Sequence, residues 1–131
     1  MKIILIDDNK AFREGFKFYL VNKLGYDVVA DYNDGDEFLR KKEFIHCDII
    51  LMDIDMPKVD GFKATKLALW ETRDLKVIAI TGFRDKAYLT DLITAGCKGC
   101  VFKENIYNEL EEAIHTVMSG EMYYPDGINI D

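Results

Sequence analysis

Four short apolar runs in this chain deliver a reactive side chain at or just past their ends. Asp7 and Asp8 follow "KIILI", Asp53 follows "DIILM", Thr81 follows "KVIAI", and Lys103 closes "GCVFK". Carboxylates, a hydroxyl and an ammonium are the equipment of phosphoryl transfer. An aspartate can attack phosphorus and become an acyl phosphate. Positive charge then steadies the oxygens around the transferred group, and little else is asked of the protein. A hydroxyl such as that of Thr81 can donate to the new phosphoryl group, and its movement can shift a neighbouring loop and helix.

Such a cluster has an electrostatic cost. Two carboxylates ~4 Å apart, at an effective dielectric near 20, repel by about 4 kcal/mol. Lys103 supplies one compensating charge, and a divalent cation can supply the rest. An all-oxygen donor set favours Mg²⁺, which prefers octahedral oxygen and keeps several waters. The stretch "IILMDIDMP" (49–57), followed by Asp60 and Gly61, places Pro57 and Gly61 where they would shape a tight loop over Asp53.

For these residues to meet, the runs must be parallel strands that end at one edge. The pattern supports this. The bursts 2–6, 26–30, 48–52, 76–80 and 99–103 are short, Ile- and Val-rich, and mostly continuous, as in strands covered on both faces. Helical periodicity fills the gaps. Residues 9–24 carry Phe12, Phe16, Leu20 and Leu24 on one stripe, with Asn9 to cap the start and Gly25 to end it. Further helices are expected over 34–43, 61–71 (Phe62, Leu67, Trp70), 85–95 and 105–119, the last capped by Asn105 and closed by Gly120. Five strands alternating with five helices imply right-handed crossovers and an open, doubly wound α/β sheet. Ligands in that architecture sit beyond the carboxyl ends of the strands.

The 131 residues fit one domain, assigned to 1–120, with 121–131 a linker or packed extension. A net charge of −7 argues against direct nucleic-acid binding by this segment. No apolar run approaches the ~18 residues a membrane span needs. The start lacks the features of a signal peptide, so a cytoplasmic location is expected. The three cysteines, Cys47, Cys97 and Cys100, read as gap-filling thiols rather than a disulfide framework. "CKGC" leads into a strand, not the helix a redox site would open. His46 and His115 lack partners at ligand spacing and read as surface residues.

The ordered set Asp7–Asp8, Asp53, Thr81 and Lys103 resembles the receiver domain of a bacterial two-component response regulator, from Met1 to about Gly120. The resemblance implies a flavodoxin-like (βα)5 fold with strand order 2-1-3-4-5. It implies that Asp53 accepts the phosphoryl group and that Asp8 ligates Mg²⁺ directly, with Asp7 acting through water. It also implies that the backbone carbonyl of Asp55 reaches the metal, that Thr81 is the switch hydroxyl, and that Lys103 pairs with the phosphate. The donor would be a sensor histidine kinase or phosphotransfer protein. Phosphorylation would act on the face made by the fourth helix, fifth strand and fifth helix, through which a phosphorylation-dependent homodimer is expected.

Three departures from the family pattern matter. Cys100 stands where an aromatic is usual, which removes the usual rotamer coupling to Thr81. Glu104 stands where Pro is frequent; with "SGEMYYPDGIN" this is similar to regulators whose linker leads to a LuxR/NarL-like helix-turn-helix domain. Gly82 stands where Ala is frequent, which would open the phosphoryl group to water. The alternative is a phosphatase of haloacid-dehalogenase type, with "DID" (53–55) as its D-x-D. That family places D-x-D on its first strand and its acidic pair last, the reverse of the order here.

Overall fold

The computed structural model describes residues 1–54, 61–82 and 86–125. In chain order the elements are β1 (Lys2–Ile6), α1 (Lys10–Asn22), β2 (Asp27–Tyr32), α2 (Gly35–Lys41), β3 (Ile49–Asp53), α3 (Gly61–Glu71), β4 (Val77–Thr81), α4 (Lys86–Ala95), β5 (Gly99–Phe102) and α5 (Ile106–Met118). Short 3₁₀ turns at Glu43–His46 and Lys103–Asn105 precede β3 and α5. All strand pairs are parallel, in the order β2-β1-β3-β4-β5. This is the doubly wound, flavodoxin-like arrangement expected from the sequence.

The continuous apolar strands are explained by their two-sided burial. Because alternate strand residues face opposite ways, each strand feeds two cores. Ile4, Ile6, Ile50, Met52, Ala79, Cys100 and Phe102 pack with residues of α2, α3 and α4. Ile3, Leu5, Ile49, Leu51, Ile78, Ile80 and Val101 pack with residues of α1 and α5. Burying one such side chain contributes ~1.5–3 kcal/mol, so β1, β3, β4 and β5 form a stiff frame for whatever lies at their ends. The edge strand β2 is the exception, since only Tyr32 of its residues is buried.

Register aligns the strand exits. Ile6 pairs with Met52, Asp53 with Ile80, and Thr81 with Phe102. Asp7 therefore lies level with Asp53, Thr81 one step beyond, and Lys103 one step beyond that. Lys103 opens a 3₁₀ turn rather than ending β5.

Other details depart from expectation. Asn105 makes no side-chain cap to α5; the preceding 3₁₀ turn leads into the helix instead. Among the described residues of α3, Gly61, Ala64, Thr65 and Ala68 are buried, while Leu67 is 44% and Trp70 87% exposed. Small residues let this helix lie close to the sheet, which turns Leu67 and Trp70 outward. The side chain of Phe62 lies outside the described residues. Phe44, in the 3₁₀ turn before β3, is a core residue that periodicity did not flag.

The segment after α5 is a packed extension as far as Pro125. Tyr123 forms a parallel bridge with Gly99 on the outer edge of β5. Its N–H donates to the Lys98 carbonyl at 3.1 Å, and its carbonyl accepts from the Cys100 N–H at 3.0 Å. The Tyr123 hydroxyl reaches Glu109 at 3.0 Å, and Pro125 is buried. The edge of β5 is thereby capped by the chain itself, one of the ways sheets avoid edge-to-edge pairing. Cys97 and Cys100 are free and buried, and burial pushes both thiols up to about 12. Both pack in the hydrophobic core, the gap-filling place expected of them. His46 and His115 are exposed.

Candidate functional site

Asp7 is delivered by the end of β1 and is 1% exposed. Its N–H donates to the Tyr32 carbonyl at 3.1 Å. Its carbonyl accepts from Arg13 Nη1 at 2.6 Å. Its Oδ1 accepts from the Asn9 N–H at 2.8 Å, and Asn9 Oδ1 in turn caps α1 by accepting from the Phe12 N–H at 3.0 Å. The expected helix cap is therefore part of the turn that carries the acidic pair. Asp8, the next residue, is exposed.

Asp53 ends β3 and is also 1% exposed. Behind it, the Ile54 N–H donates to the Ile80 carbonyl at 3.2 Å and the Gly61 N–H to the Ile54 carbonyl at 3.3 Å. A Cβ on Gly61 would stand 2.7 Å from the Asp53 carbonyl oxygen. The start of α3 presses so closely on the end of β3 that this position requires glycine.

One carboxylate oxygen from each of Asp7, Asp8 and Asp53 lies within 4.8 Å of the others. Lys103 Nζ sits 3.2 Å from Asp7 Oδ2 and 3.5 Å from Asp53 Oδ2. Below the ammonium, the Phe12 ring centroid is 4.9 Å away, which adds a cation–π contact. Burial of the ammonium disfavours its charge, but the charges of Asp53 and Asp7 outweigh that, and the Lys103 pKa lies above its ordinary value. Three carboxylates face one ammonium, so negative charge remains in excess. The donors are all oxygens and two of the three acids are buried, which fits a hard divalent cation such as Mg²⁺.

Thr81 is fully buried at the end of β4, beside the strand that carries Asp53. Gly82 is exposed, and a Cβ there would meet open space among the described residues. Asp55, Pro57, Asp60 and Phe83 lie outside the described residues. Sequence reasoning missed Arg13 and the polar role of Phe12. Phe12 was read as core alone, and nothing local marks Arg13, whose oxygen partners come from other segments.

A family model described as "Response regulator receiver domain" matches residues 3–115. The transcriptional regulatory protein DegU of Brevibacillus brevis is 37% identical over 94% of this chain and 52% of its own length. Response regulator GacA of Pseudomonas syringae pv. syringae is 32% identical over 94% of this chain and 58% of its own. The chain thus spans about half the length of these curated relatives. The crystal structure of a LuxR-family two-component response regulator from Aurantimonas sp. SI85-9A1 superposes with a TM-score of 0.86 at 29% identity, over 93% of this chain and 87% of that one. The isolated receiver domain of RcsB from Salmonella enterica serovar Typhimurium, solved with the phosphomimetic BeF₃⁻, shares the fold. Its TM-score is 0.84 at 21% identity, over 96% of this chain and 94% of that one.

Proposed function

The chain belongs to the response regulator receiver domain family of two-component systems, and from that premise we propose that it is a switch set by phosphorylation of Asp53. The observation that carries this reading is the convergence of Asp7, Asp8 and Asp53 with Lys103 at the carboxyl edge of the sheet. An Asp53 carboxylate oxygen attacks the phosphorus of a phosphohistidine on a sensor kinase or phosphotransfer protein. The O–P bond forms as the P–N bond breaks, and the leaving imidazole keeps the electron pair and takes a proton from water. Lys103 neutralises charge on the acyl phosphate. Asp8, Asp53 and the Asp55 carbonyl would hold Mg²⁺, with Asp7 acting through water. When bound, the ion supplies the charge stabilisation that the in-line transfer needs.

The Thr81 hydroxyl then donates to a phosphoryl oxygen, which biases an existing equilibrium in α4, β5 and α5. Cys100 lacks the ring that usually follows this movement, so any coupling runs through the backbone and the packing around it. The family match gives the phosphatase alternative no support. Stoichiometry separates the two. With acetyl phosphate and Mg²⁺ the chain gains the mass of one phosphoryl group at Asp53, which then decays; sustained hydrolysis of varied phosphoesters would contradict the switch.

Gly82 leaves the side of the phosphoryl group open to water. A Gly82→Ala substitution, for which there is room among the described residues, is expected to lengthen the acyl phosphate lifetime, and decay no slower than wild type would remove this role. A second copy is expected to dock on the α4–β5–α5 face once Asp53 is phosphorylated. Tyr123 already lies along β5, so docking must include or displace the extension. Sedimentation with beryllofluoride and Mg²⁺ checks this: a monomer throughout would contradict it. The name of the relative DegU points to transcription control. We read this chain as the receiver part of such a regulator, acting in the cytoplasm, with a LuxR/NarL-like helix-turn-helix output part making any DNA contact. Among the described residues no helix is long and apolar enough to cross a membrane.

A further inference from the structure

Arg13 lies in the first turns of α1, directly behind the acidic pair, and its side chain is only 13% exposed. Three oxygens hold its guanidinium. Nη1 donates to the Asp7 carbonyl at 2.6 Å and to Asn33 Oδ1 at 3.3 Å, and Nε donates to Asp31 Oδ1 at 3.1 Å. Lys17 closes the far side of Asp31 at 2.9 Å. Burial alone would raise the Asp31 pKa, but its bonds and charge interactions with Lys17 and Arg13 outweigh that and hold it below the usual value. Asp31 is thus a permanently charged anchor at neutral pH, and Arg13 is a rigid fork between it and the turn that carries the acids.

The bond to the Asp7 carbonyl is short and charge-assisted, which makes it one of the stronger kinds of hydrogen bond. Its location gives it a consequence. The peptide plane that carries the Asp7 carbonyl also carries the Asp8 N–H, so fixing one end fixes the rotation of the unit that joins the two acids. With the Asp7 N–H tied to β2 and Asp7 Oδ1 tied to Asn9, the turn of that plane is the backbone freedom at Asp7 that still changes where the Asp8 residue is carried. We propose that Arg13 is a positioning residue for the cation site: through the Asp7 carbonyl it sets the spacing of the Asp7 and Asp8 carboxylates. The role rests on reading those acids as the cation-binding pair. Groups of this kind, which orient ligands without touching the metal, are known to matter to affinity.

A purely structural Arg13 would pin α1 to the end of β2 and affect unfolding alone. Calorimetric titration of the whole chain with Mg²⁺, at a temperature where every variant is folded by circular dichroism, separates the two roles. Arg13→Met keeps the length and loses the fork; it is expected to bind Mg²⁺ about tenfold more weakly than wild type, in the range found for such groups. Arg13→Lys is expected to fall between, since one ammonium can serve the Asp7 carbonyl or Asp31 but not hold both in place. Arg13→Met binding Mg²⁺ as tightly as wild type overturns the proposal. If Arg13→Met does not fold, Asp31→Ala carries the test. It leaves the guanidinium but removes its anchor, so weaker Mg²⁺ binding is expected and unchanged binding overturns the role. A wild-type chain that binds no Mg²⁺ overturns the cation site itself, an outcome distinct from wild-type binding that ignores Arg13.

Discussion

Lys103→Met is expected to destabilise the metal-free protein at neutral pH and to leave Mg²⁺ able to restore most of the loss. The ammonium lies between Asp7 and Asp53, both buried. Removing one partner of a buried pair typically costs ~3–5 kcal/mol, because the other charge is stranded. Lys103 is 30% exposed on its side chain, so solvent already screens part of the interaction, and about 2 kcal/mol is the better expectation. The pH dependence has a definite sign. The folded-state pKa of Lys103 is raised, so its contribution is complete below the ordinary lysine value near ~10.4 and is lost as pH climbs through the raised one. Urea unfolding of the two proteins should differ at neutral pH and converge in strong alkali. Equal stability at neutral pH without Mg²⁺ would show that the lysine is not what offsets the acids.

Asp53→Asn should separate function from stability in the opposite direction. Phosphoryl uptake should vanish, because an amide cannot form the acyl phosphate. The metal-free fold should nonetheless gain. In the wild type Asp53 is attracted by Lys103 and repelled by Asp7 and Asp8. The attraction cancels roughly one repulsion. The other involves the exposed Asp8, so the gross value of about 4 kcal/mol per close pair shrinks by screening to a net relief of about 1 kcal/mol. Thermal unfolding in a chelator should therefore shift upward in the variant, and Mg²⁺ should stabilise it less than it stabilises the wild type. A variant less stable than wild type in chelator would mean that Asp53 is held by bonds that outweigh its repulsion.

The parts legible in the sequence were those set by local pattern. Runs such as "IILI" (3–6) and "VIAI" (77–80) reveal two-sided burial because every residue in them, odd or even, is apolar. Their polar exits then mark the crevice, since parallel strands must end on one edge. Asn9 and the left-handed glycines Gly25 and Gly120 were visible as helix punctuation. What escaped depends on contacts between distant segments. Arg13 reaches Asp31 and Asn33 across 18 and 20 residues, and no local spacing announces that meeting. Trp70 looked like core because large apolar residues usually are; the buried stripe of α3 is instead made of Ala64, Thr65 and Ala68, whose small size allows the close approach. Tyr123 gave no signal because one bridge on an edge strand has no period to detect.

Borohydride trapping followed by peptide mapping tests the role of Asp53 most directly. After acetyl phosphate and Mg²⁺, reduction of an acyl phosphate converts the modified aspartate to homoserine at the position that carried the group. The modification should fall on Asp53 alone and should disappear when the metal is chelated. Homoserine at Asp7 or Asp8, or modification that ignores the chelator, would contradict a site in which Mg²⁺ and Lys103 free one acid of the cluster to take the phosphoryl group.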